Sequence, residues 1–135
     1  MKQWHFFDKV YRTWVVYIIG TPKEFTDFLV KDTGYTAPVE ELELEGSSGM
    51  CINICPDNAN QPASSYVIWQ RKYELGCLVH ELTHLTMMIF EHKSVAIHWE
   101  NTEAFAYYTE FWFNEITRTK RRLPQGRLPA EVMKV

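Results

Sequence analysis

From about Tyr73 to Glu91 the chain must form a helix with one face committed to a core and another to polar chemistry. Leu78, Leu82, Leu85 and Ile89 recur as a single helical stripe, and His80 and His84 fall on nearly the opposite side. Residues four apart lie about one turn apart on one face, so both imidazoles can hold one ion while Glu81 projects beside them. With five histidines in 135 residues, chance placement yields this His-Glu-x-x-His pattern in about two of a hundred such chains. Cys77, Met87, Met88 and Phe90 fill the remaining face, so the helix reads as buried nearly all round. Buried imidazoles and a carboxylate need partners, and a metal ion supplies one. Two capped or solvated histidines without an ion are the alternative.

Composition limits the setting of this helix. At 135 residues, 46% apolar and 15% aromatic, residues 1–135 read as one domain with a real core. A formal charge of −3 gives no field that would favour nucleic acid or an anionic membrane as partner. Cys51, Cys55 and Cys77 leave at least one thiol unpaired in a domain that needs no disulfide staples, which points to a reducing, cytoplasmic compartment. The apolar run before Asp8 is too short for a signal peptide, and the longest run, Trp14 to Ile19, is too short to span a bilayer. Oligomeric state leaves no mark in the sequence.

Upstream of the histidines the pattern is that of a strand, a turn and a helix. Trp14 to Ile19 is β-branched and aromatic and stops at Gly20, as a central strand buried on both faces would. Thr21-Pro22 can cap a helix whose Phe25, Phe28 and Leu29 share one face, with Gly34 as its end. Residues 38–45 carry four glutamates and read as an exposed acidic excursion, less readily as the rim of a cleft. Met50 to Cys55 and Tyr66 to Gln70 read as two more strands around a Pro- and Asn-rich loop, residues 56–62. Cys51 and Cys55 on the first of these fit core packing better than metal binding.

After a connection, a second helix is predicted from about Asn101 to Arg118. Phe105, Thr109, Trp112 and Ile116 form its apolar side, and Glu103, Tyr107, Glu110 and Asn114 its polar side. Residues 118–135, with Lys120, Arg121, Arg122 and Arg127 among prolines, read as an irregular basic tail, a weak footprint for nucleic acid. The expected fold is therefore α+β: a small mixed sheet of three to four strands packed on the His-Glu-x-x-His helix and a following C-terminal helix.

A catalytic zinc ion takes three protein ligands and keeps one position for water, so His80 and His84 need a third. His92 lies two turns along the same helix, roughly 12 Å away by helical rise. Glu103 is the preferred third ligand, in the first turn of a helix that returns after 18 intervening residues; His98 and Glu100 remain alternatives. Tyr107, one turn after Glu103, can support a ligand or a reacting oxygen. With zinc bound, Glu81 would serve as general base, and Tyr107, Tyr108 or His98 could stabilise an oxyanion.

His80-Glu81-Leu82-Thr83-His84 followed by Glu103-Ala104-Phe105-Ala106-Tyr107 resembles the zincin metallopeptidases of the gluzincin type, whose third ligand is a glutamate on the next helix. It is also similar to small HExxH proteins encoded by phages and prophages, which would place it in a host cytoplasm. The resemblance covers the two helices, about a third of the chain. It implies a minimal zincin-like domain, Zn2+ as cofactor, a peptide or protein substrate, and the strand Tyr66 to Gln70 as the edge that pairs with an extended peptide. Met87 and Phe90 stand where a metzincin has Gly and His, which excludes that class. His98 could imitate the third histidine of SprT-like proteases, but Trp99 follows it where they have Gly, and no zinc-ribbon cysteines follow. A zinc-stabilised protein that binds a partner without turnover is the alternative function.

Overall fold

The computed structural model describes residues 1–33, 35, 38–54 and 64–122. The expected ends at Gly34 and Cys55, the loop 56–62 and residues 123–135 of the tail lie outside the described residues. Strands β1 (Lys2–Asp8), β2 (Thr13–Ile19), β3 (Gly49–Ile54) and β4 (Ser64–Gln70) form one sheet in the order β1-β2-β4-β3. The inner pair is parallel and both outer pairs are antiparallel. With helices α1 (Pro22–Asp32), α2 (Leu75–His92) and α3 (Thr102–Arg122), the described residues make an α+β fold.

Alternation along the two inner strands sorts the core into two layers, because successive side chains leave a sheet on opposite faces. On one face Trp4, Phe6, Val15, Tyr17, Tyr66 and Ile68 meet Leu78, Leu82, Leu85 and Ile89 of α2 and Tyr108, Trp112 and Ile116 of α3. On the other, Ile18, Val67 and Trp69 meet Phe25, Phe28 and Leu29 of α1. The start of α1 is set locally. Thr21 Oγ1 accepts from the Glu24 amide at 3.1 Å and the Glu24 carboxylate accepts from the Thr21 amide at 3.0 Å, with Pro22 in the first turn.

Four features differ from the sequence reading. β1 is an additional strand; its inward Trp4 and Phe6 alternate with Gln3, His5 and the apolar Phe7, which blurs the period-2 signal. β4 is an interior strand held between β2 and β3, so Tyr66 to Gln70 is not a sheet edge; the edge on that side is β3. Residues 118–122 continue α3 instead of starting an irregular tail. The acidic excursion is anchored: Val39–Leu42 is a 3-10 turn, and Leu44 is buried against the α1 layer.

α3 is tied to the far end of the sheet by one buried carboxylate. Asp8 accepts from the Val10 and Tyr11 amides, closing the β1–β2 turn, and from the Tyr108 hydroxyl at 2.7 Å. α3 also meets α2 through a 2.9 Å bond between the Thr109 and Thr86 hydroxyls and an edge contact of Phe105 on Phe90. Among the described residues no helix is long and apolar enough to cross a membrane.

Candidate metal centre

α2 presents its polar motif on an open face. Leu78, Leu82, Leu85 and Ile89 are fully buried, as the stripe requires, but Leu75, Val79 and Met87 are about half exposed and His80 and His84 are exposed. The helix is thus not buried all round, and burial does not by itself demand a partner for the imidazoles. Their geometry is the informative part. The two Nε2 atoms stand 3.1 Å apart with the rings inclined by 73°. Two nitrogens sharing a tetrahedral zinc ion lie roughly 3.3 Å apart at ordinary zinc–nitrogen distances, so the pair fits such an ion with little movement.

Glu81 differs from its neighbours in being buried, at 6% exposure. Its side chain faces β3, where the Cys51 backbone amide hydrogen-bonds to the carboxylate. Burial pushes its pKa above the ordinary 4.5, opposed by His80, His84 and that amide. A carboxylate in such surroundings takes up a proton more readily than an exposed one. Next to it the Cys51 thiol is pushed strongly up, first by burial and then by the Glu81 charge, so it is an inert core group. The core reading of Cys51 agrees with its packing against the α2 layer.

β3 lies unusually close to this flank of α2. A side chain at Gly49 would place its Cβ 2.7 Å from Cys77 Sγ and 2.8 Å from the Trp69 carbonyl oxygen. Only a residue without a side chain admits the approach that brings the Cys51 amide to Glu81. This backbone donor and the glycine beneath it escaped sequence reasoning, because a main-chain contact between distant segments leaves no side-chain signature.

The remaining candidates do not close on the histidine pair. The Thr86–Thr109 and Phe90–Phe105 contacts run α3 antiparallel to α2 and set Glu103 beyond the level of Phe90, about two turns or 12 Å along the axis from His84. Glu100 and Glu103 are exposed. His98 is exposed and caps the 3-10 turn Trp99–Asn101, its Nδ1 accepting from the Glu100 amide at 3.3 Å and its amide donating to Asn101 Oδ1. Tyr107 is 66% exposed on the polar side of α3, whereas Tyr108 is buried and donates to Asp8, a structural duty that leaves it no part in an oxyanion site. Burial and the Asp8 carboxylate both push the Tyr108 pKa far up. His92, at the end of α2, pairs through Nδ1 with the Tyr66 hydroxyl. Among the described residues no group of three His, Cys, Asp or Glu gathers into a metal site.

The acidic segment does not border the centre. Glu40, Glu43 and Glu45 line a cavity of about 470 Å³ with Pro22, Lys23 and Thr26, on the α1 side of the sheet and away from α2. No protein family, no characterised protein and no solved structure matches this chain.

Proposed function

We propose that the chain is a zinc-dependent hydrolase of the metallopeptidase kind, with His80 and His84 as metal ligands and Glu81 as general base. The convergence of the two Nε2 atoms at 3.1 Å beside a buried carboxylate carries this reading. A zinc ion held there supplies a Lewis acid for the substrate carbonyl and lowers the pKa of water. Glu81 takes a proton from the attacking water and delivers it to the leaving nitrogen, a role suited to a carboxylate whose pKa burial has raised. The amide of Cys51 holds that carboxylate in place. β3, the sheet edge nearest Glu81, is the strand along which an extended peptide or protein substrate would add.

Glu103 remains the proposed third ligand, with His98 and Glu100 as rivals, and bringing Glu103 to the pair requires α3 to shift along α2. Metal analysis and peptide hydrolysis on purified variants test the scheme together. About one zinc per chain is expected in the wild type, with loss in His80→Ala and His84→Ala. Glu81→Gln should retain zinc and abolish hydrolysis; a variant that still cleaves removes Glu81 from the chemistry. Metal lost in His98→Ala but kept in Glu103→Ala transfers the third position to His98.

A further inference from the structure

β2 and β4 are neighbouring parallel strands, yet the helices that follow them depart to opposite faces: α1 joins the layer of Phe25 and Trp69, α2 the layer of Tyr66 and Leu82. Where adjacent parallel strands send their connections to opposite sides, the chain diverges and leaves a crevice beyond the strand ends, the place where open sheets hold small ligands. This sheet has such a crevice. A cavity of about 370 Å³ is lined by Lys2, Trp4, Ile19, Arg71, Lys72 and Tyr73, together with Met1. Ile19 ends β2, residues 71–73 follow β4, and Lys2 pairs with Ile19 across β1.

The lining has two chemical halves. Trp4, Ile19 and Tyr73 belong to the core or pack against it, so they make a fixed apolar wall, with Trp4 stacked on Tyr17 at 5.5 Å. Lys2 and Lys72 supply two cationic side chains, and among the described residues no carboxylate lines the cavity. Arg71 is held in place through the Ser47 and Leu44 carbonyls and lies over the Trp69 ring. Leu44 and Trp69 belong to the α1 layer, so these contacts turn the guanidinium away from the Trp4 and Tyr73 wall and leave Lys2 and Lys72 as the cations of the crevice. Lys2 and Lys72 enter no ion pair among the described residues. The volume lies within the ordinary range for small-molecule sites, which are largely apolar with a few directed polar groups.

We infer that this crevice binds a small organic anion, an apolar or aromatic body carrying a carboxylate or a phosphate group. The body lies against Trp4, Ile19 and Tyr73, and the anion faces Lys2 and Lys72. The site is separate from the histidine centre, which lies along α2 on the flank facing β3, and it holds whether or not that centre hydrolyses peptides.

Amide-resolved NMR titration of the full chain tests this with phenylacetate and phenyl phosphate as probes, and phenylacetamide and inorganic phosphate as controls. Shifts should concentrate at residues 2–4, 19–20 and 70–74, with both aromatic anions binding and both controls at least about tenfold weaker. Exposed charge pairs of this kind change affinity by about two- to fivefold each. Lys2→Gln and Lys72→Gln should therefore each weaken the anions by that factor, and the double variant by about tenfold, with an unchanged circular-dichroism spectrum. Preference for phenyl phosphate assigns a phosphate ester and preference for phenylacetate a carboxylate, and either supports the site. Equal binding of phenylacetamide, equal binding of inorganic phosphate, shifts centred elsewhere, or full affinity in the double variant would overturn it.

Discussion

Gly49→Ala is the most discriminating single change in this fold, since it adds one methyl group where β3 meets α2. The new Cβ would sit 2.7 Å from Cys77 Sγ and 2.8 Å from the Trp69 carbonyl oxygen, whereas unstrained heavy-atom contacts lie near about 3.5–4 Å. Relief requires β3 or α2 to move by roughly 0.8 Å, and one wall is backbone that cannot rotate away. Overpacking of this kind costs about 1–3 kcal/mol, offset by about 0.4–1 kcal/mol from the stiffer unfolded chain that alanine gives. A net loss of about 1.3 kcal/mol is expected, read as a lower urea midpoint with unchanged slope. Cys77→Ala removes the sulfur but not the carbonyl, so it should recover about 1 kcal/mol of that loss in a double-mutant cycle. The same displacement draws the Cys51 amide away from Glu81, so any hydrolytic activity should fall more in Gly49→Ala than stability alone accounts for. A neutral or stabilising Gly49→Ala, or zero coupling to Cys77, would refute the close approach and the positioning of Glu81 derived from it.

Other perturbations probe separate links. Tyr108→Phe deprives the buried Asp8 carboxylate of one of its three donors and should cost about 1.5–3 kcal/mol in urea unfolding. Leu82→Ala empties part of the core between the two histidines and should cost about 2–5 kcal/mol. Burial lowers the His5 pKa from its ordinary 6.5, so the unfolded chain binds the proton first as the solution is acidified. Stability present above pH 6.5 is then lost as pH falls toward the folded-state value, and unfolding midpoints of His5→Gln should show a smaller loss over that interval. Zinc at a hundred times its dissociation constant should raise unfolding free energy by about 2.7 kcal/mol; calorimetry of the chelated and zinc-loaded protein measures this, and His84→Ala should abolish the gain.

Much of this molecule was legible as local pattern. The stripe of Leu78, Leu82, Leu85 and Ile89, the Thr21-Pro22 cap and the β-branched run ending at Ile19 specify their elements through residues that are close in sequence. The α+β class followed from them. β1 was harder to see because Phe7 interrupts its alternation, and the length of α3 because its last turn is charged and has no apolar residue to mark it. Which strand forms the edge depends on pairing partners dozens of residues apart, so β4 read as an edge and proved interior.

By itself, the sequence determined that two imidazoles and a carboxylate share one helix, because a spacing of four residues and a 3.6-residue turn leave them nowhere else to be. Only the tertiary structure decided how these groups differ. It exposed His80 and His84, buried Glu81 against the Cys51 amide, and set α3 in a register that leaves Glu103 two turns from the pair. It also sent α1 and α2 to opposite faces of neighbouring parallel strands, opening the cationic crevice at their ends. The physical reason is one of range. Periodicity fixes direction around a single helix axis, whereas burial, charge environment and the distance between elements are set by packing among segments that the chain brings together only when it folds.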